Sequence, residues 1–357
     1  MEFDFAENLK KNSFGMLLMQ DINSGVYSPG EKLPSERTLC VKYGFSRPTV
    51  HKNLEELVRL GVLTRDSRQV YVSVTEQNDE KDTASRRIIL LMNSDGYVNL
   101  TYRTMIEGII SRFGNTTAIR MFVTAGTNPR LPERFKETDV VVVFGLFLAP
   151  GLLKKISECS HNVIAINFNV NFANWLMPDN YLAGRLMGET LYQAGHRKIT
   201  AVLNRDDYPE FEERFRGLSD YLGERDIALE RPWIPACLDY RHISELYFNE
   251  FALTHKVTAF ACMRYPMAMD LYDYAFDYNL EIPRDFSLVG FDDTHGCAFL
   301  SPAMTTVRYP VTELTEKLLQ AIPQAFRRMR GEVFLQQRLQ PLLINRASVA
   351  APGEAVS

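Results

Sequence analysis

From residue 87 to residue 292 short apolar runs alternate with helical stretches, and few folds accommodate that order. Seven runs read as strands: RIILLM (87–92), AIRMFV (118–123), DVVVVFG (139–145), NVIAIN (162–167), KITAVLN (198–204), VTAFACM (257–263) and FSLVGFD (286–292). Helical patterns fall between them, for example Asn180 to Ala194, Glu210 to Gly223 and Pro266 to Asn279. Strand–helix–strand alternation is the mark of a parallel sheet covered by its crossover helices. Seven strands suit one long doubly wound sheet or two smaller ones around a cleft, and both place ligands at strand carboxyl ends.

A polar stretch, TEQNDEKDTASRR (75–87), separates this region from a different one. We therefore expect a head at 1–74, a linker at 75–87, an α/β domain at 88–348 and a tail at 349–357. In the head, Glu7 to Ser24 has helical spacing, with Phe14, Leu17, Leu18 and Ile22 on one stripe. Ser35 is placed to cap a second helix ending near Tyr43, and Gly44 supplies the turn. Ser46 is placed to cap a third, whose Val50, Leu54 and Leu57 share a face. Pro48 fits there because a first helical turn has no intrahelical donor to lose. VLTR and QVYVSV, joined by DSR, alternate like a short hairpin that would form a wing.

Net charge is −4, so the whole molecule has no bulk attraction for nucleic acid. The distribution is uneven. Lys32 to Arg68 holds eight Lys or Arg against four Asp or Glu, while residues 1–76 have ten of each. Arg47, Thr49, His51, Lys52 and Asn53 stand off the apolar face of the third helix, and Arg68 lies in the wing turn. Amides, hydroxyls and cations at a helix beginning can donate to phosphates or base edges. A helical pair inside a core would show the same spacing, but turn, cap, basic face and hairpin together point to a DNA reader.

INSGVYSPGEKLPSERTLCVKYGFSRPTVHKNLEELVRLGVLTR resembles the winged helix-turn-helix of GntR-type transcription regulators, through PG-x-KLPSER followed by SR-x-TV. The resemblance implies DNA contacts at Arg37, Ser46, Arg47 and Thr49. This chain departs from the family at His51, where arginine is usual, at Asn53, where alanine is usual, and in a wing without glycines.

Residues 88–348 resemble the effector domain of LacI-type regulators, itself similar to periplasmic sugar-binding proteins. NLTYRTMIEGI, PDNYLAGRLMGETLYQAGHRKITAV, ERFRGL, IPRDFSLVGFDDT and LSPAMTTV carry it in order, and PLLINRAS matches its end. The fold implied is a two-subdomain, doubly wound α/β domain behind a winged helix-turn-helix. The pairing of head and domain is similar to arabinose-responsive repressors, which implies a sugar effector. Positions matching effector contacts are Thr101, Tyr102, Asp179, Arg214, Tyr240 and Asp292. Arg214 offers a bidentate fork and Asp292 an acceptor for neighbouring hydroxyls. Asp179 fits equally as the cap of the helix from Asn180, Arg214 as a structural partner of Glu210 or Asp292, and both tyrosines as core aromatics. Arg264-Tyr265 replaces the family's Asn-Asp, adding a cation that suits either an anionic effector or solvent.

Catalytic signatures are absent: the six histidines form no H-E-x-x-H, and neither G-x-S-x-G nor G-x-x-x-x-G-K-[ST] occurs. Asp292 and Asp293 are adjacent on a strand, where neighbours point to opposite faces, so they do not form an acid/base pair. The five cysteines, Cys40, Cys159, Cys237, Cys262 and Cys297, contain no C-x-x-C, so neither disulfide framework nor metal site is expected. No apolar run reaches the roughly 18 residues needed to span a bilayer, and acidic Glu2 and Asp4 follow Met1. The reading is a cytoplasmic, dimeric, ligand-responsive regulator, probed by operator DNA and a small molecule, without cofactor and not an enzyme. Its rival is a sugar-binding or sugar-processing protein whose head recruits a partner.

Overall fold

The computed structural model describes residues 14–23, 26–27, 31–59, 63–66, 69–72, 86–93, 100–124, 135–145, 150–202, 209–229 and 256–352. The head holds α1 (Phe14–Asn23), α2 (Glu36–Tyr43), α3 (Arg47–Arg59), β1 (Leu63–Asp66) and β2 (Gln69–Val72). Phe14 and Leu18 on α1 are fully buried, and the Phe14 ring meets Tyr43 and Phe45 edge-on at 5.4 and 6.2 Å. The expected start of α1, residues 7–13, lies outside the described residues. Ser35 accepts from Thr38 N–H as the N-cap of α2, and Gly44 takes the left-handed conformation (φ 75°) that ends it. β1 and β2 pair antiparallel as the expected wing, and Leu33 N–H donates to Val70 O at 2.9 Å, tying the chain before α2 to it.

Next come β3 (Arg87–Asn93), α4 (Leu100–Phe113), β4 (Ala118–Thr124), β5 (Asp139–Phe144), α5 (Pro150–Cys159), β6 (Asn162–Ile166) and β7 (Asn174–Pro178). They are followed by α6 (Asn180–Gln193), β8 (Ile199–Val202), α7 (Pro209–Gly223), β9 (Ala259–Cys262), α8 (Tyr265–Asp277) and β10 (Ser287–Asp292). After these run β11 (Thr305–Arg308), α9 (Val311–Arg327), β12 (Gln336–Leu339) and β13 (Leu342–Ile344). The chain divides into two compact units, Met1–Met177 with Val311–Gln337, and Pro178–Pro310 with Arg338–Ser357.

In the first unit the six-stranded sheet has the order β12-β7-β6-β5-β3-β4, and β4, β3, β5, β6 and β7 are mutually parallel. Every residue of β5 is buried, which is why DVVVVF carries no polar alternation. Its first strand, β3, has later strands on both sides, so the order reverses at the carboxyl ends of β3 and β5, where doubly wound sheets bind ligands. Arg87 shares the expected linker end and strand start; it belongs to the strand, buried, with Nε and Nη2 donating to Asp139 at 2.7 and 2.8 Å. Residues 75–85 of the linker lie outside the described residues.

The second unit's five-stranded sheet has the order β13-β11-β10-β9-β8, parallel from β8 to β11 with β13 antiparallel at the edge. Helices α6 and α7 approach backbone to backbone: a Cβ at Gly184 would land on the carbonyl oxygen of Arg214, and one at Gly217 on that of Tyr181. The backbone stays engaged past residue 348, because Ala350 N–H donates to Ser287 Oγ at 3.1 Å and Ala350 O accepts from the His196 ring at 2.9 Å.

All seven apolar runs contain strands, arranged as two sheets rather than one. Four more strands escape the apolar pattern. NWLMP mixes polar and apolar residues before a proline, and TTVR, QQRL and LLI are three or four residues long, too short for a period to register.

Candidate functional site

Helix α3 has two faces. Val50, Leu54 and Leu57 are no more than 1 % exposed, whereas the Arg47 and His51 side chains are 79 % and 54 % exposed and Lys52 is exposed beside them. Ser46 is spent on the helix start: its Oγ accepts from Thr49 N–H at 3.4 Å and pairs with Thr49 Oγ1 at 2.8 Å. Asn53 Nδ2 donates to Thr49 O at 2.8 Å, so its amide is occupied within its own helix. Arg37 is exposed on α2, and Arg68 lies outside the described residues.

Sequence reasoning missed the residue that organises this face. Glu36, on α2, accepts from Arg47 Nε at 3.3 Å through Oε2 and meets His51 Nδ1 at 2.8 Å through Oε1. The hydrogen bond to His51, together with Arg47, holds its carboxyl below the usual range despite partial burial. The available signal was a carboxylate within PSER, opposite the only histidine of the head.

In the first unit, Thr101 and Tyr102 occupy the first turn of α4, just after β3 and hence at the reversal of strand order. Tyr102 is 7 % exposed, its ring lies 5.5 Å from Phe144, and its hydroxyl accepts from Asn167 Nδ2 at 3.4 Å. Gly145 and Asn167, at the ends of β5 and β6, both have positive φ (66° and 65°), and a Cβ at Gly145 would sit 3.3 Å from the Tyr102 ring. The core-aromatic role therefore describes most of Tyr102. Thr101 is half-buried.

In the second unit, the carboxyl ends of β9 and β10 meet α7. Arg214 is 3 % exposed; its Nε donates to Asn180 Oδ1 at 3.0 Å and its Nη1 to Met263 O. The guanidinium lies 3.7 Å from the Phe291 ring centre and 5.0 Å from that of Phe211. Asp292 (φ 85°) accepts from Tyr265 N–H at 3.3 Å through Oδ2. Asp293 (φ 46°) turns elsewhere, to Arg308 and Arg346, each at 2.7 Å. The two carboxylates thus part as expected, through left-handed backbone rather than strand alternation alone. Arg214 forms no direct ion pair with Asp292 or Glu210, although both carboxylates stabilise its charge against burial, which pushes its pKa down. Burial pushes Asp292 and Glu210 up. Arg214 Nη2 and Asp292 Oδ1 have no hydrogen-bond partner among the described residues.

Asp179 acts as the N-cap of α6, its Oδ1 accepting from Leu182 N–H at 2.9 Å. Arg264 precedes α8, with its guanidinium 5.6 Å from the Phe211 ring, in the electrostatic range of Glu210, Arg214 and Asp292. Tyr240 lies outside the described residues. Asn180, read only as a helix start, proves to be the acceptor that aims Arg214.

Residues 14–71 match the family model "Bacterial regulatory proteins, gntR family", and residues 189–349 match "Periplasmic binding protein-like domain". The arabinose metabolism transcriptional repressor of Geobacillus stearothermophilus is 23 % identical over 347 residues, covering 89 % of this chain and 92 % of that one. Among solved structures, a LacI family transcriptional regulator from Enterococcus faecium with bound ribose aligns with a TM-score of 0.60 at 20 % identity, over 74 % of this chain and 99 % of that one. A periplasmic binding protein/LacI transcriptional regulator from Alkaliphilus metalliredigens QYMF, complexed with D-xylulofuranose, aligns with a TM-score of 0.61 at 17 % identity, over 74 % and 99 %. The chain joins a helix-turn-helix head of the gntR family of bacterial regulatory proteins to a periplasmic binding protein-like α/β domain.

Proposed function

We propose that this protein is a ligand-responsive transcription repressor, whose head binds double-stranded operator DNA with an affinity set by a small polyol, a sugar or sugar derivative, in the α/β domain. The observation that carries the reading is the division of α3: an apolar face sealed in the head and, opposite it, a cap, two cations and an imidazole at the helix beginning. A helix beginning so furnished fits the major groove, with Arg37, Arg47, Thr49, His51 and Lys52 toward DNA and Arg68 of the wing against phosphate.

For the ligand, a buried guanidinium whose Nη2 has no hydrogen-bond partner among the described residues, beside a carboxylate oxygen, suits vicinal hydroxyls, which need one donor and one acceptor. The sugars named with the similar proteins support that class. Thr101, Tyr102, Asp179, Tyr240 and Arg264 are proposed as further contacts. The reading includes a homodimer in the cytoplasm, whose two heads occupy two half-sites.

The test is fluorescence anisotropy with the duplex that the full-length protein selects from a random pool. Log affinity falls linearly with log salt, and Arg47→Ala weakens binding and reduces the slope by about 0.9 per head, about 1.8 for the dimer on two half-sites. Binding that ignores both salt and Arg47→Ala contradicts the reading.

A further inference from the structure

The reading helix carries one imidazole, and it is held by a carboxylate. His51 Nδ1 lies 2.8 Å from Glu36 Oε1, and the other oxygen of the same carboxylate accepts from Arg47 Nε at 3.3 Å. One carboxylate on α2 thereby fixes two side chains a turn apart on α3, both exposed on the face proposed to meet DNA. Among the described residues nearby in sequence, Lys52 follows His51, and Glu55, one turn on, is tied to Arg65 of the wing at 2.5 Å.

We propose that Glu36 is the positioning residue of the reading helix and that, because one of the two side chains it holds is His51, operator binding takes up a proton. The inference rests on the DNA-binding reading above.

The sign follows from the charges. A neutral ring donating Nδ1–H to Glu36 presents a lone pair at Nε2; a protonated ring keeps the Glu36 contact and presents a second N–H. DNA phosphates favour the protonated ring, so the complex binds more protons than the free protein. Affinity then rises as pH falls. A carboxylate holding Arg47 alone gives no such profile.

The experiment measures affinity of the pool-selected duplex for the full chain at several pH values from 8 to 5.5 and constant ionic strength. Wild type should tighten with falling pH, by up to about tenfold per unit for each proton taken up, hence up to about a hundredfold for a dimer taking up one proton per head. His51→Gln keeps a hydrogen-bonding amide and should flatten the profile. Glu36→Gln removes the anion that faces the ring and should weaken the rise, while loosening base preference in a repeated selection. Glu36→Asp should restore part of both. Each variant's thermal melting must match wild type, so that a loss of fold is not read as a loss of positioning. If His51→Gln retains the wild-type slope, or Glu36→Gln leaves profile and base preference unchanged, the proposal is overturned. A wild-type chain that selects no duplex at any pH overturns the DNA reading itself.

Discussion

Helix α3 and the Arg214 wall use the same chemistry, arginine beside carboxylate, in opposite surroundings. On α3, Arg47 is 79 % exposed and Glu36 25 %, so their pairing is screened by water and worth little to stability. On α7, Arg214 is 3 % exposed and is held by Asn180, a carbonyl and two aromatic faces before any ligand arrives. A polyanion with many contacts can be met by exposed groups that a neighbouring carboxylate orients at little cost in desolvation. A small ligand with few contacts needs groups whose desolvation has already been met by folding.

The contrast can be broken at several points. The largest effect is expected at Gly184, where a side chain meets the backbone of Arg214 itself and no rotamer relieves it. Gly184→Val should cost about 3 kcal/mol or more, read by denaturant melting, and should abolish ligand stabilisation. Next is acid sensitivity. Burial lowers the pKa of His196, whose ring contacts Thr258 Oγ1 and Ala350 O, each at 2.9 Å. A histidine depressed in the folded state keeps its contribution above its unfolded value, near 6.5, and loses it as pH falls from there toward the folded pKa. Unfolding free energy should therefore drop between about pH 7 and pH 5, with a shallower drop in His196→Gln. The smallest effect belongs to the exposed face: Ser46→Ala, removing a cap, should cost about 1 kcal/mol.

Much of both regions was legible from sequence. The central strand β5 is apolar after its first residue because both faces are covered, and the head's caps and turn are local chemistry around Ser35, Gly44 and Ser46. What stayed hidden depends on distant pairing. Glu36 and His51 are fifteen residues apart and on different helices, so no spacing rule links them. Asn180 and Arg214 meet only because Gly184 and Gly217 let α6 and α7 touch. Asp179 was ambiguous in sequence because one carboxylate can cap or bind; its Oδ1 caps α6 through Leu182 N–H, and contact with a ligand stays a proposal.

The central claim is that a ligand held at the Arg214 wall controls the α3 face. The direct measurement is duplex affinity of wild type and Arg214→Ala with and without a sugar chosen by thermal shift on the wild-type protein. The account predicts a change of roughly 5- to 150-fold in wild type, the usual span of allosteric coupling, and none in Arg214→Ala, which still binds the duplex. Equal wild-type affinity with the sugar bound, or an Arg214→Ala chain that still switches, would contradict it.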